Sequence, residues 1–483
     1  MALAIAVLVL VVLSGVLLTR TLRSSSPQIA IAPPPDIALD KTRAAGRLAE
    51  AVRFRTISPD DPRDLDPGAL LGLHEFLRTS YPNAHRALIR EVVNEYSLLY
   101  TWKGTDAGRK PILLMAHLDV VPVEPGTEGD WIQPPFSGRM ADGYVWGRGA
   151  IDDKSAVLGI LEAVELLAGQ GFRPSRTVYL AFGHDEESRG HEGAEQIAAL
   201  LKSRGVALDY LLDEGLVIAD GVLPGVTAPV AMIGTAEKGW LTLELTAADT
   251  GGHASMPPPH TAIGILATAI HRLEANPMPA VIKPPVTELF ASVAPEMPFG
   301  RRLVFANLWL FGPLVKHQLA RSPATNAAIR TTTAVTIAKG GTQDNMLPKA
   351  ATAVVNFRIL PGESTASVTE YVRGVIGDPR VDIKPVKREE PSPVAATDAE
   401  SFRTLATTIR QIFPQVLVAP ALVVVRTDSA HYLAITDAAY RFRPLPLTPA
   451  DLKRIHGTNE RLAIDSYAAL IRFYVQLLRN SAS

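Results

Sequence analysis

Short apolar runs alternate with helix-like patterns through the first half of the chain. The pattern predicts strands over residues 112–116, 177–182 and 210–212, and amphipathic helices over residues 154–168 and 194–203. A periodic segment over residues 41–54 predicts the first helix of the globular part. Because strands that alternate with helices usually pair in parallel, we predict an α/β sheet whose site lies at the carboxyl ends of its strands.

The pattern changes near residue 236. Strands are predicted over residues 240–247, 333–338 and 351–359, and a helix over residues 260–274, which indicates a second, α+β domain inserted into the first. Residues 276–330 are rich in Pro, Phe and Leu without a clear period, so we predict an insertion of unassigned shape. Helical patterns over residues 398–412 and 465–478 then return the chain to the first domain.

The N-terminal segment has a different character. Residues 1–19 carry no charged side chain and are nearly all Ala, Val and Leu, which is long enough to cross a bilayer at about 20 residues. We predict an uncleaved single-pass anchor over residues 1–22. A cleaved signal peptide, followed by secretion, is the alternative, but no basic stretch precedes the apolar run and the small-residue pattern at Ala30-Ile31-Ala32 lies far beyond it. Arg20 and Arg23 would draw the following chain towards the cytoplasm.

Composition narrows the classes of partner and chemistry. The 48 basic and 49 acidic side chains are mixed throughout, so the chain has no electrostatic footprint for nucleic acid and a small-molecule substrate is favoured. The absence of cysteine excludes disulfides, thiol catalysis and thiolate ligands. Any zinc would therefore be held by His, Asp and Glu side chains.

Candidate ligands follow the first predicted strands. His117 and Asp119 come directly after the strand 112–116, and extended chain places both side chains on one side. His117 can bind a metal while Asp119 orients its imidazole. Asp152, in a Gly-rich turn at the start of the predicted helix 154–168, can bridge two cations.

Further acidic and imidazole groups follow later strands. Glu186 and Glu187 come after the strand 177–182 and can divide the roles of base and ligand, Asp213 follows the strand 210–212, and His456 lies near the C-terminus. Each feature alone has an ordinary structural explanation, such as a solvated loop or a helix cap. Together, at the strand ends of one α/β domain, they predict a two-metal site.

The motifs HLD, GRGAIDDK, DEE, LLDEG, GGHAS and HGTNE, in this order, resemble the aminoacylase/carboxypeptidase family of co-catalytic zinc peptidases. The segments NLWLFGPLV, TNAAIRTTTAV and GGTQDNMLP are similar, more narrowly, to the vacuolar carboxypeptidase S and secreted N-fatty-acyl amino acid synthase/hydrolase branch. The resemblance runs from about residue 45 to residue 478. It implies a catalytic α/β/α domain with a largely parallel sheet, interrupted by an α+β lid or dimerisation domain.

The residue pattern, together with the resemblance, predicts the domain limits, and the resemblance implies the metal ligands. The anchor or signal would occupy residues 1–22, a linker 23–44, the two parts of the catalytic domain 45–235 and 389–483, and the inserted domain 236–388. Two Zn²⁺ ions per subunit would be held by His117, Asp152, Glu187, Asp213 and His456, with Asp152 bridging.

Other roles follow from the same resemblance. Asp119 would hold His117, and Glu186 would be the general base. His253 would polarise the scissile carbonyl, often across a homodimer interface. Asn345 and Arg358 match positions that bind the carboxylate or backbone of the substrate. Arg426 stands where many relatives have Gly before Thr-Asp-Ser, so it either adds a carboxylate contact or points away.

The expected reaction is hydrolysis of the amide bond of N-acyl amino acids or small peptides that carry a free carboxylate. Water activated by two zinc ions would attack, with a glutamate as general base, and the reverse reaction would make N-acyl amino acids. A two-zinc aminopeptidase or other amidohydrolase is the first alternative. The second is an inactive, membrane-tethered binding module, whose mark would be a missing base or ligand, and none is missing.

Overall fold

The computed structural model describes residues 1–59, 61–223 and 225–483. The helices are α1 (Ala2–Arg23), α2 (Lys41–Val52), α3 (Pro67–Ser80), α4 (Pro82–Ala87), α5 (Lys154–Gly169), α6 (Ala194–Ser203), α7 (Ala262–Ala275), α8 (Val286–Val293), α9 (Phe299–Ala306), α10 (Leu308–Leu319), α11 (Pro323–Ile329), α12 (Thr365–Ile376), α13 (Glu400–Ile412), α14 (Pro449–Leu452) and α15 (Ile464–Ala482).

The strands are β1 (Ile89–Val93), β2 (Ser97–Trp102), β3 (Ile112–His117), β4 (Arg139–Ala141), β5 (Tyr144–Trp146), β6 (Val178–Gly183), β7 (Tyr210–Ala219), β8 (Val230–Glu237), β9 (Gly239–Ala248), β10 (Gly252–His253), β11 (Thr332–Gly340), β12 (Met346–Leu347), β13 (Ala350–Ile359), β14 (Val381–Glu389), β15 (Leu417–Val423), β16 (Ala439–Leu447) and β17 (Arg461–Ala463). The predicted helices and strands all form, with ends that differ by a few residues, except that β7 runs well past the predicted strand 210–212.

In the described part of the chain, the larger sheet has eight strands in the order β1-β2-β6-β3-β7-β16-β8-β15. Its centre, β6-β3-β7-β16, is parallel, but β1, β2 and β8 pair antiparallel with neighbours. The prediction of a largely parallel sheet is therefore wrong at the edges, and the sheet is mixed. The physical reason is short connections: Asn94 and Glu95 adopt positive φ in a tight hairpin between β1 and β2, which can only join antiparallel strands.

Both faces of this sheet are covered. Along β3, Ile112, Leu114 and Ala116 belong to a core with α5 and α15, whereas Leu113 and Met115 belong to a second core with α6. Because side chains alternate across the sheet, a strand buried on both faces must be apolar at every position. This accounts for the continuous apolar run that ends at His117.

A smaller antiparallel sheet, β11-β13-β9-β14, lies in the inserted region. Leu241, Leu243 and Leu245 of β9 alternate inwards and pack with residues of α7 and α12. The insertion to which no shape was assigned forms helices α8 to α11. Of these, α8 packs against β15, and α9 contacts α1.

The N-terminal helix α1 is long and apolar enough to cross a membrane, and its apolar window is not buried in the protein. A signal sequence would meet the same criteria of length and composition. The helix is therefore a candidate span.

Candidate metal centre

His117 ends β3 at the carboxyl edge of the larger sheet. Its Nδ1 lies 3.0 Å from the main-chain oxygen and 3.3 Å from Oδ1 of Asp119, and its Nε2 lies 3.1 Å from Oδ1 of Asp152. Burial alone would lower the pKa of His117, but the hydrogen bonds to Asp119 and Asp152 raise it well above its usual value. The imidazole is thus fixed on one side and faces a carboxylate on the other.

Asp119 also organises the turn after β6. Its two carboxylate oxygens accept hydrogen bonds from the backbone N–H groups of Glu186 and Glu187, at 3.2 and 3.1 Å. One buried carboxylate therefore holds both His117 and the Glu186-Glu187 turn. The sequence motif HLD and the motif DEE meet through this contact.

Asp152 lies between two imidazoles. Its Oδ1 faces His117, its Oδ2 is 3.2 Å from Nε2 of His456, and that same nitrogen is 3.2 Å from Oε1 of Glu187. The pKa of His456 rises to about 10 because Asp152 and then Glu187 stabilise the imidazolium. Opposite oxygens of one carboxylate that face two imidazoles are the arrangement expected of a bridging ligand.

A residue with no predicted role holds the loop that carries Asp152. Glu460 accepts hydrogen bonds from the backbone N–H groups of Ile151 and Asp152, at 2.8 and 3.1 Å, and pairs with Arg148 at 2.7 Å. Glu460 belongs to the motif HGTNE, four residues after His456. This motif therefore supplies a positioning carboxylate as well as an imidazole.

The structure places Asp213 differently from the prediction. Its Oδ1 accepts the backbone N–H of Glu214 at 2.9 Å and its Oδ2 that of Ser429 at 2.7 Å. Glu214 instead extends towards the centre, with Oε1 3.9 Å from Nε2 of His117. Asp213 does not follow a strand end but lies within β7, next to a register irregularity that includes Glu214 and Gly215. Such a bulge redirects neighbouring side chains.

Ligand atoms converge within 4.8 Å in three overlapping groups: His117, Asp152 and Glu187; His117, Glu186 and Glu214; and Asp152, Asp153 and Glu214. The buried Oε1 of Glu187 accepts no hydrogen bond of regular geometry from the described residues, and its nearest charged partner is Nε2 of His456 at 3.2 Å. Burial, and then the charge of Glu214, raise the pKa of Glu186 well above its usual value. A donor set of imidazole nitrogens and carboxylate oxygens without sulfur suits catalytic zinc, so the residues fit the predicted metal.

One cation of the protein already lies against this cluster. Nη2 of buried Arg443 is 3.0 Å from Oδ1 of Asp152 and 2.9 Å from Oδ1 of Asp153, and it also hydrogen-bonds Glu214. Burial by itself would raise the pKa of Asp152, but Arg443 and then His117 hold it well below its usual range. Nothing in the sequence signals this arginine, because it lies inside β16, far from every motif.

The centre opens into a cleft of about 710 Å³. Basic side chains also line this cleft, and they are here called the basic wall: Arg189, Arg358, Lys387 and Arg426. The guanidinium of Arg358 lies 3.5 Å and the ammonium of Lys387 4.1 Å from the centroid of the Trp240 ring. Glu389 pairs with Arg426 and with Lys387 at 2.7 Å each, which leaves the wall with an excess of positive charge.

Strand pairing in the smaller sheet builds this wall. Trp240 of β9 lies opposite Arg358 of β13 on one side and Glu389 of β14 on the other. The predicted substrate-binding residues Arg358 and Arg426 thus line the cleft. Trp240, Lys387 and Arg189, which sequence reasoning did not select, line it with them.

His253 and Asn345 lie elsewhere. They occupy one exposed corner of the inserted region, where the backbone N–H of Ala254 donates to the main-chain oxygen of Asn345 at 3.0 Å. Nδ1 of His253 lies 2.8 Å from Oγ of Ser255. Neither residue lines the cleft of its own chain, although β10 and β12 bring the two together.

A His and carboxylate centre at the carboxyl edge of an α/β sheet, beneath a cleft with a basic wall, defines a metal-dependent hydrolase. The chain belongs to the peptidase family M20/M25/M40, whose model matches residues 113–480. The predicted family and enzyme class are confirmed.

Curated relatives narrow the branch. The chain is 42% identical to the N-fatty-acyl-amino acid synthase/hydrolase PM20D1 of Xenopus tropicalis, over 90% of this chain and 85% of that protein. It is 41% identical to a carboxypeptidase S-like protein of Dictyostelium discoideum, over 99% of this chain and 93% of the relative. It is 32% identical to carboxypeptidase S of Saccharomyces cerevisiae, over 90% of this chain and 83% of that protein.

Solved structures share the fold. An M20 family metallo-carboxypeptidase of Sulfolobus solfataricus superposes with a TM-score of 0.62 at 18% identity, covering 92% of this chain and 99% of that one. Human carnosine dipeptidase 1 gives a TM-score of 0.61 at 15% identity, covering 91% of this chain and 96% of that one. At these identities the comparison concerns the fold alone.

Proposed function

We propose that this protein hydrolyses the amide bond of N-acyl amino acids or small peptides that carry a free carboxylate. The proposal rests on one observation, which is that the basic wall and the carboxylate-rich metal centre line the same cleft. A substrate that spans the cleft would place its carboxylate at the wall and its amide at the metals. The names of the curated relatives, which concern N-fatty-acyl amino acids and carboxypeptidases, support this class of substrate.

The metal site in this proposal holds two Zn²⁺ ions. The ligands are His117, Asp152, Glu187, Glu214 and His456, with Asp152 between the two imidazoles. Glu214 takes the place that the sequence assigned to Asp213, since both oxygens of Asp213 are engaged by backbone N–H groups. Bound zinc would lower the pKa of water and polarise the attacked carbonyl.

The side chains around the metals carry the proton. Glu186 lines the cleft and is the general base, which takes a proton from the attacking water and gives it to the leaving amine. Asp119 acts by position, because it holds the backbone of the Glu186-Glu187 turn and the ring of His117. Hydrolysis is reversible, so the proposal includes amide synthesis.

Arg358 is the main carboxylate-binding residue in this proposal. Its guanidinium is pinned over Trp240, and burial lowers its pKa without removing its charge at neutral pH. Arg426 adds positive charge at the same wall, although its ion pair with Glu389 reduces its contribution to carboxylate binding. This arrangement favours a substrate with a free carboxylate over a simple aminopeptidase substrate.

Paired substrates test the function. We expect N-acyl amino acids and dipeptides to be cleaved, and the same compounds with an amidated carboxyl group to react far more slowly, because the amide forms no ion pair with the basic wall. Hydrolysis should stop when a chelator is added. Equal rates on the free acid and on its carboxamide would contradict the proposal and favour a two-zinc aminopeptidase or another amidohydrolase.

The matched variants are Arg358→Met and Arg388→Met. Arg388 lies one residue beyond Lys387 on β14 and is exposed, outside the cleft. Arg358→Met should raise KM for the free acid and narrow the difference in hydrolysis rate between the free acid and its carboxamide. Arg388→Met should leave both the KM and this rate difference unchanged. Unchanged discrimination in Arg358→Met would remove this residue from the site.

We also propose that His253 acts in the cleft of a partner subunit, because it is exposed and lies outside the cleft of its own chain. His253→Ala should lower kcat by about 10²–10³, the loss typical of a missing oxyanion donor, with KM changed less. His260→Ala, at another exposed histidine of the inserted region, is the control. Activity is measured in each variant and in mixtures of His253→Ala with Glu186→Gln chains.

Mixed dimers should regain activity, since some clefts would pair an intact Glu186 with the partner's intact histidine. Mixed dimers that stay inactive would exclude action across subunits. A normal kcat in His253→Ala alone would exclude the catalytic role. Asn345 shares this exposed corner and is assigned to substrate binding in the same partner cleft.

For location, we propose that α1 is an uncleaved membrane anchor, since it has the length and composition of a span. A cleaved signal peptide is the alternative. Purification from membranes followed by N-terminal sequencing distinguishes the two: an intact Met1 or Ala2 is expected for the anchor.

A further inference from the structure

Two helices of the insertion expose large apolar side chains to solvent. Phe299 of α9 and Trp309, Leu310 and Leu314 of α10 are exposed, with Trp309 and Leu314 at 53% and 60%. Leu310 and Leu314 are one helical turn apart and share a face. Scattered apolar side chains are ordinary on protein surfaces, but a group confined to two consecutive helices marks a contact surface.

These helices are joined to α1 by specific hydrogen bonds. The buried amide of Asn307 donates to the main-chain oxygen of Leu17 at 3.3 Å and to Oγ1 of Thr21 at 3.2 Å. Nε of Arg20 donates to the main-chain oxygen of Ala306 at 3.4 Å, and Arg302 donates to that of Ser24. The end of the apolar helix is therefore attached to the insertion.

The same asparagine connects Trp309 to α1. Nε1 of Trp309 donates to Oδ1 of Asn307 at 3.2 Å, and the amide nitrogen of Asn307 donates to Leu17 and Thr21, near the end of the apolar stretch. A helix of 22 residues is about 33 Å long, close to the thickness of the hydrocarbon core. Residues near its end would lie at the membrane interface, where Trp is enriched.

One face of α1 is partly covered by the protein. Leu13, Leu17 and Thr21 are less exposed than their neighbours, and their spacing of four places them on one face. From Leu13 to Thr21 this face is about 12 Å long. The protein body therefore lies beside α1 for about two turns above its end, at a depth that a bilayer around α1 would occupy.

We propose that α9 and α10 form a membrane-contacting surface beside α1, with Phe299, Trp309, Leu310 and Leu314 seated at the boundary of headgroups and acyl chains. This proposal rests on the anchoring of α1 and is independent of the hydrolase chemistry. Arg301 and Arg302 of α9, with Arg20 and Arg23 of α1, supply positive charge that anionic headgroups attract.

This contact would set the orientation of the catalytic body. Val293 of α8 packs in one cluster with Leu417 and Ala419 of β15, an edge strand of the larger sheet. In addition, the side-chain amide of Gln28, just after α1, pairs with the backbone of Val418 at 2.8 and 3.0 Å. A tether of free coil would let the body tumble, whereas these contacts connect the sheet to the membrane surface.

The absence of cysteine makes the test direct, because a single introduced cysteine in the full chain can carry a spin label. Labels are placed at Leu310→Cys and Leu314→Cys, with Leu10→Cys in α1 as the embedded reference. Leu71→Cys is the matched control, since Leu71 lies on helix α3 and is 51% exposed. The chain is reconstituted in phosphatidylcholine vesicles containing phosphatidylserine, and collision with oxygen and with a water-soluble nickel chelate is measured by power saturation.

We expect the ratio of oxygen to nickel accessibility at Leu310 and Leu314 to shift towards that of Leu10, and Leu71 to keep the low ratio of an aqueous site. Low ratios at Leu310 and Leu314 with a high ratio at Leu10 would overturn the docking surface but retain the anchor. A low ratio at Leu10 would remove the anchor and this proposal together. Dipolar broadening between labels at Leu314 would assign the surface to a second copy of the chain and also overturn the proposal. Amide hydrolysis, measured on the same samples, tests the hydrolase function separately.

Discussion

Glu186→Gln is expected to lower kcat by at least about 10²–10⁴-fold while the zinc content stays unchanged. The amide keeps the size of the carboxylate but cannot take a proton from water. Glu186 is fixed by the bond from its backbone N–H to Asp119, and the substitution leaves that bond intact. The measurements are kcat on an N-acyl amino acid and metal content by atomic absorption on the same preparation.

The neighbouring residue provides the control. Glu187→Gln should lose zinc together with activity, because Oε1 of Glu187 lies beside His456 and is assigned as a ligand. The roles of the two residues are exchanged if Glu186→Gln loses metal and Glu187→Gln retains it. Near-normal turnover in Glu186→Gln would remove it as the base.

The second large effect separates Glu214 from Asp213. Loss of a side chain that only hydrogen-bonds a metal ligand typically weakens metal binding by roughly 10–100-fold. Glu214→Gln should weaken zinc binding by more than this, because Glu214 is itself assigned as a ligand, and activity should fall with the metal content. Asp213→Asn should keep its zinc, since the carboxylate of Asp213 accepts two backbone N–H groups and does not face the centre. Its effect should appear as a loss of about 1–3 kcal/mol in the free energy of unfolding.

Zinc titration of the two apo-variants and thermal unfolding of both provide the comparison. If Asp213→Asn loses zinc and Glu214→Gln retains it, Asp213 is the ligand, as the sequence predicts. The side chains around the bulge of β7 would then take a different placement when zinc is bound.

The structure brings His117, Asp119, Glu186 and Glu187 together, as the strand pattern predicts, for a simple physical reason. β3 and β6 are buried on both faces, so their apolar runs are continuous and their ends are marked by the first polar residues. Parallel neighbours end at the same edge of the sheet, which brings these residues together. Burial pattern and strand direction suffice for this half of the site.

Asp213 and Glu214 show where such reasoning stops. Alternation along an extended strand fixes which side chain faces a site only while the register is regular, and β7 has a register irregularity immediately after Asp213. Gly215 lies in this bulge with a φ of 138°, a backbone conformation that favours glycine. A Cβ added there would lie 2.8 Å from Cβ of Arg441. Neither fact is visible in the letters LLDEG.

The contacts between residues far apart in the chain could not be predicted from local sequence patterns either. Arg443 lies inside β16, and only the parallel pairing of β16 with β7 brings it to the carboxylates of the centre. The basic wall similarly depends on the register of β9 with β13 and β14, which places Trp240 between Arg358 and Glu389. These contacts arise from strand pairing across more than a hundred residues, which no local pattern specifies.

Titration of the apo-enzyme with zinc distinguishes a two-zinc hydrolase of carboxylate-bearing amides from a one-zinc or metal-independent enzyme. Hydrolysis of an N-acyl amino acid is followed as zinc is added, while the bound metal per chain is measured in parallel. We expect activity to be absent in the apo-enzyme and to reach its maximum when two zinc ions are bound per chain. Full activity without metal, or a maximum at a single bound zinc that a second does not increase, would contradict it.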